Sequence, residues 1–148
     1  ASVLEYIARG RREGATLLIG GEPPEAPALA RGAYMMPTIF TDVDHSSSLA
    51  QDEIFGPVLC VFRFSSEGEV LGMANDVRYG LGASVWTKDI ERAHFFVKGL
   101  EAGVVWVNCI NLSHPAIPHG GFKMSGLGVE AMLRTYSRSK TAWFNLGD

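Results

Sequence analysis

The stretch Asp52-Glu53-Ile54-Phe55-Gly56-Pro57-Val58 decides how this sequence is interpreted, and it leads into an apolar run at 58–64. Such a run is typical of a buried strand. Pro57 has a fixed φ and no N–H, so the chain is restricted where it enters the strand. Glu53 can accept hydrogen bonds from hydroxyl groups, and Phe55 can cover a flat ring. The stretch therefore predicts either a ligand site or an ordinary polar turn before a core strand.

Strand and helix patterns alternate on the carboxyl side of this stretch. Ser66 and Asp89 are suited to cap the starts of two helices. The predicted strands are 58–64, 83–87, 104–108 and a final strand at 141–146. Strands separated by single helices predict a β-α-β-α-β order, with a parallel sheet covered on both faces. We therefore expect an α/β fold of three layers, α/β/α, with a mainly parallel sheet.

The composition argues against several classes of protein. Of the 148 residues, 47% are hydrophobic and 20% are charged, as in ordinary globular domains. The net charge is −3 and the charges are interspersed, which offers no basic surface to nucleic acid or anionic lipid. The longest apolar runs fall short of the ~20 residues that span a membrane. Two cysteines do not make a disulfide framework, and the cytoplasm is the expected location.

Cys109, His114 and His119 lie close together in the sequence and leave two further interpretations open. The first is a metal site, but a closed zinc site needs a fourth ligand, so no metal is expected. The second is a nucleophile, since Cys109 stands at the end of a predicted strand and His114 could act as its base. The other cysteine, Cys60, alternates with apolar residues along its strand and is expected in the core.

Three further motifs follow in order along the chain. They are Ala74-Asn75-Asp76 with Tyr79-Gly80-Leu81, the run 104–108, and Pro118-His119-Gly120-Gly121-Phe122-Lys123-Met124-Ser125-Gly126. Together with 52–58 they resemble the aldehyde dehydrogenase superfamily, NAD(P)-dependent enzymes that oxidise aldehydes to carboxylic acids. The resemblance runs from about residue 34 to the end of the chain. It implies NAD or NADP as the cofactor and a small-molecule aldehyde as the substrate.

The resemblance also implies how the chain is organised. Residues 1–136 are expected to form the carboxy-terminal portion of the family's catalytic domain. Residues 137–148 are expected to form a terminal strand that joins a neighbouring subunit's sheet and builds a homo-oligomer. In this family the nucleophilic cysteine and the Rossmann segment lie upstream of the matching stretch. The 148 residues are therefore expected to be inactive by themselves.

Three residues match family positions that bind the cofactor or transfer protons. The resemblance implies that Glu53 accepts hydrogen bonds from the nicotinamide-ribose hydroxyls and that Phe55 packs beside the ribose and the ring. Glu130 corresponds to a glutamate of the family's proton relay. A carboxylate in the first turn of a helix, favoured by the helix dipole, explains Glu130 equally well.

The long loop after the strand at 104–108 lies where α/β sheets bind ligands, at the carboxyl end of a strand. The resemblance implies that Asn111, Ser113 and His119 line the aldehyde tunnel. Many family members have aromatic residues at the positions of Ser113 and His119, so this tunnel is expected to be more polar and to favour polar aldehydes. The family's usual arginine before Glu130 is Val129, which removes an ion-pair partner there.

Two alternative functions remain open from the sequence. One is a CoA-acylating semialdehyde dehydrogenase of the same superfamily, which would differ by its dependence on CoA. The other is a non-catalytic fragment that acts through assembly alone. Aldehyde-dependent formation of NADH would distinguish an enzyme from such a fragment.

Overall fold

The computed structural model describes residues 2–114, 117–126, 138 and 140–147. It contains two compact units, Ala1–Phe64 and Ser65–Asp148. Helices and strands are mixed in both, which confirms the predicted α/β class. Within the described residues, no helix is long and apolar enough to cross a membrane.

Unit 1 consists of two helices and a three-stranded sheet. Its elements are α1 (Val3–Arg12), β1 (Thr16–Ile19), β2 (Thr38–Thr41), α2 (Ser48–Gln51) and β3 (Val58–Cys60), with a 3-10 turn at Pro27–Leu29. The sheet order is β1-β2-β3, antiparallel between β1 and β2 and parallel between β2 and β3. A core of Ile7, Phe40, Val43 and Leu49 packs the helices against this sheet.

The prediction for the sheet that contains β3 was wrong. This strand was expected to share a parallel sheet with the strands near 83–87 and 104–108, but it pairs with β2 instead. The regular strand also ends at Cys60, before the predicted limit. Val58 and Cys60 pack against the core of unit 1, as the alternating pattern predicts.

Unit 2 is built around a parallel three-stranded sheet. Its elements are α3 (Glu67–Asn75), β4 (Tyr79–Gly80), β5 (Gly82–Val85), α4 (Ile90–Gly99), β6 (Val104–Val107), β7 (Phe122–Lys123) and β8 (Thr141–Phe144). The sheet order is β5-β6-β8, and both of its pairings are parallel. Strands β4 and β7 form a separate antiparallel pair. The Ser66 and Asp89 side chains cap α3 and α4, as predicted.

The two faces of this parallel sheet bury different side chains. On one face, Phe96 and Leu100 pack against Val105, with residues of α3 beside them. On the other face, Val104 and Trp106 are buried, and Trp143 of β8 packs against them. Strand β8 therefore pairs with β6 of its own chain, in a register that joins Trp106 to Trp143.

Candidate functional site

The turn between α2 and β3 separates its side chains into two sets. Asp52 follows the last residue of α2, and its carboxylate accepts a hydrogen bond of 3.2 Å from the Tyr6 hydroxyl. Ile54 packs against the core of unit 1. Glu53 and Phe55 are exposed. The turn thus uses alternate residues to attach itself to the unit, and it presents the other two outward.

Phe55 is held in a conformation that an aromatic residue rarely adopts. Its side chain is 89% exposed and its φ is +55°. A left-handed backbone costs a residue with a side chain about 1–2 kcal/mol. Strain of this kind is concentrated at ligand sites, where the surrounding structure maintains it. A Cβ at position 56 would lie 2.5 Å from a Val3 methyl group, so a larger residue there would require Val3 or the turn to shift.

A groove of about 480 Å³ lies beside this turn, within unit 1. The groove is shallow and open to solvent, and Glu53 and Phe55 line it together with residues of α2 and β3. No hydrogen bond or ion pair of the described residues involves the Glu53 carboxylate. The groove therefore offers a free charged acceptor and an uncovered aromatic ring, which suit a ligand with hydroxyl groups beside a flat ring.

Cys60 also lines this groove, but its thiol belongs to the core. It donates a weak hydrogen bond of 3.6 Å to the Leu49 carbonyl oxygen. Burial raises the pKa of the Cys60 thiol, which keeps it protonated. Cys60 is half-buried and packs against the core of unit 1, which agrees with the expectation that it is a core residue rather than a reactive one.

The loop after β6 carries the other predicted residues, in unit 2. Asn111, Ser113 and His119 are all exposed. Asn111 has a φ of +56° and lies in a bend of the chain. Near His119, the Pro118 carbonyl oxygen accepts a hydrogen bond of 3.2 Å from the Thr141 hydroxyl of β8. The structure thus brings Asn111 and Ser113 to one loop, while Glu53 and Phe55 share one turn of unit 1.

Cys109 lies at the base of this loop and faces inward. It is 8% exposed, and its thiol is within hydrogen-bond distance of the Val107 carbonyl oxygen at 3.3 Å. His114 and His119 are exposed. Across the described ranges, no group of three or more His, Cys, Asp or Glu side chains is arranged to hold a metal ion. A buried thiol is poorly placed to attack a substrate, so the geometry does not favour Cys109 as a nucleophile. Glu130 lies outside the described residues.

A sequence profile described as the aldehyde dehydrogenase family matches residues 1–142. This chain belongs to the aldehyde dehydrogenase family. Betaine aldehyde dehydrogenases of Agrobacterium fabrum and Brucella anthropi are 49% and 45% identical to it over 98% of the chain. The chain spans 30% of the length of each of these relatives.

Solved aldehyde dehydrogenases have the same fold over most of the chain. The NAD⁺ complex of an aldehyde dehydrogenase from Bacillus cereus is 45% identical, with a TM-score of 0.80, over 86% of this chain and 25% of that one. A betaine aldehyde dehydrogenase variant from Staphylococcus aureus, also in complex with NAD⁺, is 38% identical with a TM-score of 0.83 over the same shares.

Two motif residues of this aldehyde dehydrogenase chain have positions that the sequence did not reveal. The Asn75 side chain donates to the Gly99 carbonyl oxygen at 2.8 Å and accepts from the Glu101 N–H at 2.9 Å. The Lys123 ammonium donates to the Asn75 carbonyl oxygen and forms an ion pair of 2.8 Å with Glu101. The hydrogen bond from Lys123 lowers the pKa of the Glu101 carboxyl. The motifs pointed to these residues, but only the structure shows that they join α3 and β7 to the turn between α4 and β6.

Proposed function

We propose that this chain is the carboxy-terminal part of an NAD(P)-dependent aldehyde dehydrogenase that oxidises an aldehyde to a carboxylic acid. The observation that carries the proposal is the turn of unit 1, where exposed Phe55 is held at a φ of +55° beside exposed Glu53. Family membership supports the same reaction. We keep the predicted division into a catalytic-domain portion, 1–136, and a terminal strand, 137–148.

The residues of the groove fit the nicotinamide end of the cofactor. NAD(P)⁺, when bound, accepts the hydride that leaves the substrate. Glu53 would accept hydrogen bonds from two neighbouring ribose hydroxyls, and each bond to a charged acceptor is worth about 1.5–3 kcal/mol. Phe55 would cover one face of the ribose and ring, which also excludes water from that side. Both residues would thus restrict the ring to the short distance that hydride transfer requires.

The substrate that we propose is a polar aldehyde. Asn111, Ser113 and His119 are the proposed tunnel residues, and all three are exposed polar side chains of unit 2. An imidazole needs both a donor and an acceptor partner when it is desolvated. A polar group on the substrate would supply one. The relatives are named for betaine aldehyde, which is a polar aldehyde, and this agrees with the proposal.

Two further assignments rest on the family resemblance, and a third rests on the composition of the sequence. We propose Glu130 as a member of a proton relay to the general base. We also propose that the enzyme is a homo-oligomer, with a terminal strand joining the sheet of a neighbouring copy. In this chain the β8 strand pairs with β6, so an exchanged strand would use the same register. The cytoplasm is the proposed location.

Single-turnover kinetics of the complete enzyme with Glu53→Gln tests the cofactor assignment. Glutamine keeps the shape but loses the charge, so hydride transfer is expected to slow by about 10- to 100-fold, while the affinity for NAD(P)⁺ changes less. Asp52→Asn is the matched control, because Asp52 bonds to Tyr6. An unchanged hydride step in Glu53→Gln would contradict the assignment. Strict dependence on CoA would favour the semialdehyde dehydrogenase alternative, and an absence of aldehyde-dependent NADH would favour a non-catalytic fragment.

A further inference from the structure

The buried Trp106 side chain is bonded to the backbone of the loop that carries two proposed tunnel residues. Its indole N–H donates a hydrogen bond of 2.8 Å to the Leu112 carbonyl oxygen. Leu112 lies between Asn111 and Ser113 in the chain. A backbone carbonyl fixed at residue 112 limits how far either neighbour can move. The hydrogen bond therefore connects a buried side chain of the parallel sheet to the loop segment that carries the exposed residues Asn111 and Ser113.

A second bond holds the start of the same loop. The Ser84 hydroxyl donates to the Cys109 carbonyl oxygen at 2.7 Å. Two side chains of neighbouring strands, β5 and β6, thus hold carbonyl groups three residues apart. Asn111 lies between these two bonds with a φ of +56°. The chain bends at residues 110 and 111, between the two bonds, so releasing either bond gives this short span other conformations.

The position of the indole ring is itself determined by close packing. Trp106 is 8% exposed and packs with Val104, Cys109 and Trp143. On the neighbouring strand, a Cβ at Gly82 would lie 2.7 Å from Cζ3 of the Trp106 ring. Any side chain at position 82 would therefore push the ring away from its present position. The absence of a side chain at Gly82 lets the indole direct its N–H at Leu112.

We propose that Trp106 is a specificity-determining positioning residue, whose indole N–H fixes Asn111 and Ser113 in the orientation that selects a polar aldehyde. The proposal rests on the proposed function, since it assumes that these two side chains face the substrate. Trp106 itself acts through the backbone of the loop. An ordered loop keeps its polar side chains where they can hydrogen-bond to a polar group of the substrate. A mobile loop loses this preference for polar over alkyl aldehydes, although alkyl aldehydes can still bind.

The test compares Trp106→Phe with Trp143→Phe in the complete enzyme. Both variants lose an indole N–H from the same packed face, but the N–H of Trp143 has no hydrogen-bond partner among the described residues. Two quantities are measured: hydrogen–deuterium exchange of the peptide covering 109–114, and the ratio of kcat/KM for a polar aldehyde to that for an alkyl aldehyde of equal length. Trp106→Phe is expected to speed the exchange at least threefold. It is also expected to lower the ratio by about threefold to tenfold, with the alkyl value unchanged within about twofold.

Gly82→Ala provides a second variant that keeps the indole, and it is expected to change both quantities in the same direction. Unchanged exchange in Trp106→Phe, or equal changes in Trp143→Phe, would overturn the proposal. Faster exchange with an unchanged ratio would overturn it too. The proposed function is judged separately by Glu53→Gln and by the effect of His119→Phe on the same ratio, so its failure is distinguishable from a failure of the Trp106 assignment.

Discussion

The turn at Glu53 and Phe55 and the loop at Asn111 and Ser113 expose their side chains by different structural means. In unit 1, Phe55 is 89% exposed at a φ of +55°, and Glu53 has no hydrogen-bond or ion-pair partner among the described residues. In unit 2, the loop is held from below by hydrogen bonds from Ser84 and Trp106 to its backbone. Both segments contain a residue at a positive φ, but the loop is also held by side-chain donors of the parallel sheet.

Because of this difference, substitutions in the turn and substitutions beneath the loop should affect folding and function differently. Side chains of the turn that contact nothing in their own unit can be changed with little effect on folding, because no burial is lost. Residues that support the loop take part in the core and in backbone contacts, so changing them affects folding and site geometry together. Four predictions test this contrast.

The largest effect is expected for Gly103→Ala, beneath the loop. A Cβ at this position would overlap the carbonyl oxygen of Gly120, which is backbone and cannot move aside without displacing the loop. We expect a loss of about 3 kcal/mol or more in the free energy of unfolding, or no folded protein. Gly72→Ala is the control, since nothing lies within 4 Å of a Cβ there, and it should be neutral or stabilising. Chemical denaturation measures the stability of both variants. Equal stability would contradict the claim that close backbone packing at Gly103 supports the loop.

The next effect concerns substrate preference. His119→Phe in the complete enzyme should narrow or reverse the preference for polar over alkyl aldehydes, which we expect to be about tenfold in kcat/KM. The reason is that an unpaired imidazole costs about 1–3 kcal/mol when an alkyl chain occupies the tunnel. His94→Phe is a matched control on α4, outside the proposed tunnel loop. If the native enzyme prefers alkyl aldehydes and His119→Phe does not change the ratio of kcat/KM for polar over alkyl aldehydes, then His119 lies outside the tunnel.

A smaller effect is expected at the strained residue of the turn. Phe55→Ala should change stability by less than about 0.5 kcal/mol, because the ring is almost fully exposed. Phe55→Gly should be more stable than Phe55→Ala by about 1 kcal/mol, since glycine adopts a positive φ without strain. Urea denaturation of the two variants provides the comparison. Equal stability would mean that the left-handed conformation at residue 55 is not maintained.

The smallest effect depends on pH and involves Glu101. Its pKa in the folded chain is lowered from 4.5 by the hydrogen bond and the charge of Lys123. The stabilisation is therefore fully present above the unfolded-state pKa, and it is lost as the pH falls through the lower folded-state pKa. Glu101→Gln should be slightly less stable than the native chain at pH 7, and the difference should vanish in acid. In a Lys123→Met background the same change should have a smaller effect, because only the weaker attraction of Arg138 and Lys140 remains, and an undiminished difference there would show that Lys123 is not the main cause.

Local features of the fold were predictable because their causes are local. The caps at Ser66 and Asp89 follow from the residue types next to each helix, and the strand patterns identified β5 and β6. The partner of β3 was missed because β2 is only four residues long and follows Pro37, which gives no clear strand pattern. Alternation identifies a strand but does not identify its neighbour.

The sequence proposes residues for the candidate site but does not predict their geometry. Family motifs pointed to Glu53 and Phe55, yet nothing in an aromatic residue predicts a left-handed backbone, which opposes its local preference. The contacts of Lys123 with Asn75 and Val77 join residues more than 40 positions apart, 48 and 46 in sequence separation. Such contacts depend on the packing of whole elements, so a motif shows that the residue matters without showing what it binds.

The most direct test of the central claim is a crystal structure of the complete enzyme with NAD⁺. We expect the Glu53 carboxylate to accept hydrogen bonds from the nicotinamide-ribose hydroxyls, at the usual O–H···O distance of about 2.5–3.0 Å. We also expect the Phe55 ring to pack on that ribose while its φ remains positive. A nicotinamide ribose bound without contact to Glu53, or a Phe55 ring turned away from it, would contradict the assignment of this turn to the cofactor.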